Sequence, residues 1–110
     1  MPFINISTSA KIHDKKKLLE EIASLISSLT NKAKRFVMAK LEDGLQMYFE
    51  DENNCCFIEI KSIGSLNPSK MAKPICEFIH EKIDVPIDKI YICFEDVNAS
   101  MWGWNGKTFG

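Results

Sequence analysis

Residues 55–63 read CCFIEIKSI, and this stretch decides the fold because it starts the chain's pattern a second time. It follows the polar run EDENN (Glu50–Asn54), stops at Gly64 and reads as a strand. Behind it comes SLNPSK (Ser65–Lys70), where Asn67 can cap a helix and Pro68 suits a helix's first position. Met71, Ile75, Phe78, Ile79 and Ile83 then recur at helical spacing as one apolar stripe. Pro74 lacks the N–H that would bond back to Lys70, so the helix is expected to kink there or to begin later. VPIDK (Val85–Lys89) turns the chain into a further strand, IYICFED, Ile90–Asp96.

The same order stands at the start of the chain, about 54 positions earlier. Phe3–Thr8 is short and alternating, with Ile4, Ile6 and Thr8 on one face. HDKKKLLEEIASLISSLTNK (His13–Lys32) carries Leu18, Leu19, Ile22, Leu25, Ile26 and Leu29 on one helical stripe. Asp14 is its expected N-cap and Asn31 its stop, while Lys15–Lys17 oppose the helix dipole in the first turn. RFVMAKL (Arg35–Leu41) alternates as a strand, and Glu42-Asp43-Gly44 turns into a short strand over Leu45–Phe49. At the far end Asn105-Gly106 signals a tight turn, with a last short strand expected at Thr108-Phe109.

Two β-α-β units side by side predict an α/β (α+β) fold: a four-stranded mixed sheet with two helices on one face. Ile90, Ile92 and Phe94 make one side of the last strand apolar, and Tyr91 and Cys93 do the same for the other. Two helices cover only one face of the sheet, so the other is expected to be buried against further copies of the chain.

The chain has 110 residues, 45% hydrophobic and 26% charged, which bounds it to one domain spanning residues 1–110. A formal net charge of −1 and a pI near 6.1 give no reason to expect nucleic acid or an anionic membrane as partner. No apolar run approaches the roughly 18 residues of a membrane span, and the N-terminus lacks a signal peptide's basic and apolar regions. The expected location is the cytoplasm, with leaderless release left open. Of the four cysteines, Cys55 and Cys56 are adjacent, which is not the spacing of a zinc or redox pair. Cys76 and His80 stand four apart on a helix but lack a third ligand nearby. No metal and no cofactor is therefore assigned.

Pro2 is the residue with chemistry in reserve. A proline at the first position of a strand misses no ladder N–H, so packing alone accounts for it. Once Met1 is removed, however, Pro2 carries the chain's only secondary amine. An α-amino group titrates near 7.7–8.0, and burial or a nearby cation lowers that value. The result is a neutral base at physiological pH, suited to taking a proton from carbon beside a carbonyl.

MPFINISTS (1–9), TNKAKRF (30–36), SIGSLNP (62–68), IYICFEDVNAS (90–100) and GWNGKTF (103–109) together resemble the macrophage migration inhibitory factor family of the tautomerase superfamily. The likeness runs nearly end to end and keeps the order and spacing of the motifs. It implies a homotrimer of two-unit β-α-β chains with sites at the subunit interfaces, and keto–enol tautomerase activity on phenylpyruvate-like substrates. By the same resemblance Pro2 is the catalytic base, Lys32 holds the substrate carboxylate, and the backbone amide of Ile63 contacts it. Tyr91 reaches in from a neighbouring subunit to polarise the substrate, and Phe36, Trp104 and Phe109 form an aromatic wall. Without the family, Lys32 reads as a helix-end lysine, Ile63 as a strand residue, and the aromatics as packing.

Two departures stand out. Cys93 occupies a place where animal members have an asparagine, and a thiol is the weaker hydrogen-bond partner. Cys55-Cys56-Phe57-Ile58 also lacks the animal C-x-x-C, so no redox activity carries over, and no residue here identifies a receptor for a cytokine-like role. The reading from another class is a non-enzymatic signalling or binding trimer that keeps the fold, separable by whether loss of Pro2 abolishes the biological role. A ferredoxin-like regulatory domain is weaker, because it gives Lys32 and Tyr91 no shared task.

Overall fold

The computed structural model describes residues 1–110. Strands β1 (Phe3–Thr8), β2 (Met38–Glu42), β3 (Cys56–Ser62) and β4 (Ile90–Asp96) form one sheet in the order β2-β1-β3-β4. Helix α1 (Lys15–Thr30) joins β1 to β2 and α2 (Pro68–Lys82) joins β3 to β4. The pairs β1–β2 and β3–β4 are parallel, and β1 meets β3 antiparallel, so two β-α-β units share a mixed sheet. No helix is long and apolar enough to cross a membrane.

The core lies between this sheet and the helices. Ile4 and Ile6 of β1, Ile58 and Ile60 of β3, Ile22 and Ile26 of α1, and Ile75 and Ile79 of α2 are fully buried and belong to one cluster. Each such side chain contributes roughly 1.5–3 kcal/mol of burial free energy, and β-branching suits Ile4, Ile6, Ile58 and Ile60 to the pleated surface. The helix ends follow the sequence closely. The Asp14 carboxylate accepts from the Lys17 N–H at 3.1 Å, and Asn31 closes α1 with φ 58°, the left-handed conformation that asparagine tolerates. At α2 the backbone carbonyl of Asn67 receives the Lys70 and Met71 N–H groups at 3.0 Å, while its side chain caps nothing within the helix. Helix α2 starts at Pro68 and its assignment continues through Pro74, so the later start is not found.

Three other expectations need correction. Arg35 and Phe36 are not extended: a 3-10 turn over Lys34–Phe36 closes as the Phe36 and Val37 N–H groups donate to Ala33 and Lys34 carbonyls. Strand pairing starts at Met38, whose N–H donates to the Pro2 carbonyl at 3.0 Å. Leu45–Phe49 forms no strand, because β1 has already ended and offers only the Thr8 carbonyl to the Leu45 N–H. The sheet's second face is indeed uncovered, but it is not apolar throughout. Phe57 and Tyr91 share it with Glu59, Lys61 and Glu95, and the Asn5 amide donates to Glu59 across it at 3.2 Å. The period of two puts alternate residues of β1 and β3 on that face, and those residues are largely polar.

A small hairpin closes the chain: β5 (Gly103–Trp104) pairs antiparallel with β6 (Lys107–Thr108), one residue earlier than expected. Asn105 and Gly106 have φ values of 55° and 79°, as a two-residue primed turn requires.

Candidate active site

Three separate elements meet around the N-terminus. Pro2 is fully buried, and its carbonyl is tied to the first residue of β2, so the ring cannot swing away from the sheet. The 3-10 turn after α1 brings Phe36 to it, and the terminal hairpin brings Trp104. Between them is a cleft of about 410 Å³, also lined by Met1, Met38 and Trp102. Phe109 braces the wall from behind, its ring near-parallel to Trp104 at 7° with centroids 6.3 Å apart. Its N–H also donates to the Trp102 carbonyl at 3.1 Å.

The cleft is apolar with a cationic rim. The Arg35 guanidinium lies 4.7 Å above the centre of the Phe36 ring. Lys32 follows the αL residue that ends α1, and its carbonyl accepts from the Ser27 hydroxyl. The Met1 amine is held below the ordinary α-amino range, first by burial and then by the Lys32 charge. The lysine and the N-terminus therefore share one electrostatic environment. Ile63 comes to the same end of the sheet, because the antiparallel register sets Phe3 opposite Lys61 and so carries Pro2 level with Ser62, the residue before Ile63. Arg35, Met38 and Trp102 were not singled out from the sequence. Their signal was the alternation around Phe36 and the density of aromatics in MWGW (Met101–Trp104).

Tyr91 and Cys93 stand elsewhere in the chain. Register places Tyr91 beside Phe57 and Phe57 beside Ser7, about five residues or ~16 Å along the sheet from Pro2. Cys93 is level with Glu59 and Asn5, nearer but two strands over. Both are exposed on the uncovered face of the edge strand β4, and Tyr91 is 60% accessible. A single chain thus gathers Pro2, Lys32, Ile63, Phe36, Trp104 and Phe109 at one end and leaves Tyr91 and Cys93 facing outward.

The remaining reactive groups are engaged or inert. Burial, with the neighbouring Cys55 and Cys76, pushes the Cys56 thiol up to about 12. His80 sets Nδ1 2.8 Å from the Val85 carbonyl, which makes it a loop fastener apart from Cys76. No three His, Cys, Asp or Glu side chains gather as a metal site would need. A larger hollow of about 520 Å³ lies between the start of α1 and the end of α2. Its charges oppose one another, with Lys82 paired to Glu21 at 3.2 Å, so it presents no single-sign recognition surface.

Comparison with known proteins agrees with this geometry. The family model described as macrophage migration inhibitory factor matches residues 1–110. The crystal structure of a macrophage migration inhibitory factor homologue from Prochlorococcus marinus is 39% identical, with TM-score 0.93 over 98% of this chain and 99% of that one. The protein of that name from Trichinella spiralis is 25% identical, with TM-score 0.90 over 97% and 99% of the two chains. The macrophage migration inhibitory factor of Xenopus tropicalis is 27% identical over 96 residues, 84% of each chain. The chain belongs to the macrophage migration inhibitory factor family, within the tautomerase superfamily.

Proposed function

We propose that this protein is a keto–enol tautomerase acting on phenylpyruvate-like α-keto acids, with the Pro2 amine as general base. The observation that carries the reading is a fully buried Pro2 at an apolar cleft, beside Lys32 and under aromatic walls. Family membership supports the isomerase class. With Met1 removed, the Pro2 nitrogen takes a proton from the carbon next to the substrate's carbonyl. The electron pair moves toward the carbonyl oxygen, which is protonated to give the enol, and the reverse sequence restores the keto form. No atom is gained or lost, so no cofactor is required. Lys32 and the backbone amide of Ile63 hold the carboxylate, with Arg35 adding positive charge at the rim. Phe36, Trp104 and Phe109 enclose the aryl group.

The working form is a homotrimer. Its sheets meet through the uncovered face and the free edges of β2 and β4, which carries the Tyr91 hydroxyl to the carbonyl oxygen in a neighbouring cleft. Cys93 arrives with it.

Lys32→Ala should raise KM for phenylpyruvate about tenfold, the scale of one charge-assisted hydrogen bond in a half-buried site. It should also move the ascending limb of the kcat/KM profile to higher pH, since the lysine depresses the neighbouring amine. An unchanged KM and limb would remove Lys32 from the site. Cys93→Asn should raise kcat/KM about fivefold, as expected for one added neutral hydrogen bond. No gain would mean that position 93 does not touch the substrate.

A further inference from the structure

An exposed tyrosine on an edge strand is free to change rotamer, and a hydroxyl meant to polarise a carbonyl cannot afford that freedom. Tyr91 is not free. The ring of Phe49, from the long connection between β2 and β3, stacks on it with centroids 4.6 Å apart and planes at 30°. Such a pair is favourable beyond its burial and selects one orientation of both rings.

Phe49 is in turn fastened from below. Lys89 is only 4% exposed, and its ammonium sits 3.0 Å from the Asp51 carboxylate and 3.7 Å from that of Glu50. It donates to the Phe49 carbonyl at 3.4 Å and lies 5.2 Å from the centre of the Phe49 ring. A covered cation requires such partners, so the loop must adopt the one shape that supplies them all. That shape needs Glu50 at φ 71°, a left-handed conformation that non-glycine residues seldom hold. The Asp51 N–H donates back to the Phe49 carbonyl at 2.8 Å and closes the bend. The hydrogen bond from Lys89 helps hold the Asp51 carboxyl below the usual range, after the larger effect of the Asn53 N–H.

We propose that Phe49, clamped by Lys89 and the Glu50–Asp51 bend, is the positioning residue for Tyr91, setting the rotamer in which its hydroxyl meets the substrate in a second copy's cleft. The proposal rests on the tautomerase role given to Tyr91 above, and its test separates the two. Phenylpyruvate turnover is measured for the trimmed protein and for Phe49→Leu, Phe49→Tyr, Tyr91→Phe and the Phe49→Leu/Tyr91→Phe double variant. Phe49→Leu should lower kcat about tenfold with KM nearly unchanged, and Phe49→Tyr, which keeps the ring, should restore it. In the Tyr91→Phe background no hydroxyl remains to be positioned, so Phe49→Leu should cost nothing more.

An equal loss in both backgrounds would make Phe49 a merely structural residue and overturn the proposal. A loss in Tyr91→Phe with none in Phe49→Leu would overturn it while leaving Tyr91's role intact. Tyr91→Phe without any loss would take Tyr91 out of the reaction, and the proposal with it. A readout independent of turnover comes from the tyrosine ring signals in NMR. The chain has two tyrosines, and Tyr48 is 81% exposed, so the stacked ring is distinguishable. The Tyr91 signals should be displaced by the Phe49 ring current in the parent protein and return to ordinary positions in Phe49→Leu. Identical spectra would refute the clamp.

Discussion

Protein in which Met1 remains attached to Pro2 should turn phenylpyruvate over at least about a hundredfold more slowly than protein beginning at Pro2, the lower end of what a general base contributes. The reason is the bond itself. With Met1 in place the Pro2 nitrogen is a tertiary amide, its lone pair delocalised into the Met1 carbonyl and unable to accept a proton. Met1 also lines the cleft, so it occupies space that the substrate needs. Trimming exposes a secondary amine at a position buried more deeply than Met1 and within the same field. Burial and the Lys32 charge both disfavour the ammonium form, so the amine should titrate below the ordinary α-amino value. The sign follows directly. With Pro2 as the proposed base the neutral amine is the working form, so kcat/KM should be full above this lowered pKa and fall as pH drops through it. Intact mass gives the trimmed fraction of each preparation, and activity should scale with that fraction. Equal turnover by a sample carrying Met1 throughout would show that Pro2 is not the base.

How much of this was legible beforehand depended on whether a feature is local. The helix ends were, because capping is a contract between residues three or four apart: Asp14 and Asn31 each act at the ends they mark. The offset of the two units was legible too, since Phe3 answers to Cys56, Lys15 to Pro68 and Met38 to Ile90. The segment from Lys34 to Phe49 was misread because its shape depends on a neighbour. Arg35–Leu41 alternates like a strand throughout, yet only Met38 onward has β1 beside it. Leu45–Phe49 likewise has strand-like residues and no strand to pair with. The uncovered face was judged from β4 alone. That Asn5, Glu59 and Lys61 share this face with Tyr91 and Cys93 follows only once the register is known.

The site divides the same way. Pro2 announces itself through the chemistry of an N-terminal proline. Phe36 and Trp104 could be grouped with it only through the resemblance, since they lie 34 and 102 positions further along the chain. Arg35 and Trp102 escaped notice because the alternation around Phe36 and the aromatics of MWGW do not by themselves say which residues face a cleft. The Phe49–Lys89 clamp was invisible for a stronger reason. A lysine between Asp88 and Ile90 reads as solvated, and only the returning loop covers it.

The second large effect should come from mixing two disabled subunits. Under the proposed mechanism Tyr91→Phe would remove a hydrogen bond to the developing oxyanion and should cost about tenfold. A subunit whose Pro2 is blocked by a retained Met1 should be nearly inert. Within one chain Tyr91 lies some five residues along the sheet from Pro2, so a site made by a single subunit could use only its own pair. If each site instead takes Pro2 from one subunit and Tyr91 from the next, the two defects complement. Co-refolding equal amounts should then give roughly a quarter of all sites a free Pro2 and an intact Tyr91, by random assortment in a closed ring. Activity per subunit should rise about fivefold above the mean of the separate variants, given a tenfold Tyr91 cost. The gain should appear only after joint refolding and not on simple mixing of assembled proteins. Sedimentation should show one species of about three times the 12.6 kDa chain in both variants and in the mixture. If the co-refolded sample performs only at the mean of its parents while sedimenting as that species, the site is complete within one subunit. Any loss seen in Tyr91→Phe would then arise within its own subunit, and the shared site would be dismissed. A well-folded 12.6 kDa species with full activity would dismiss the shared site and the trimer together.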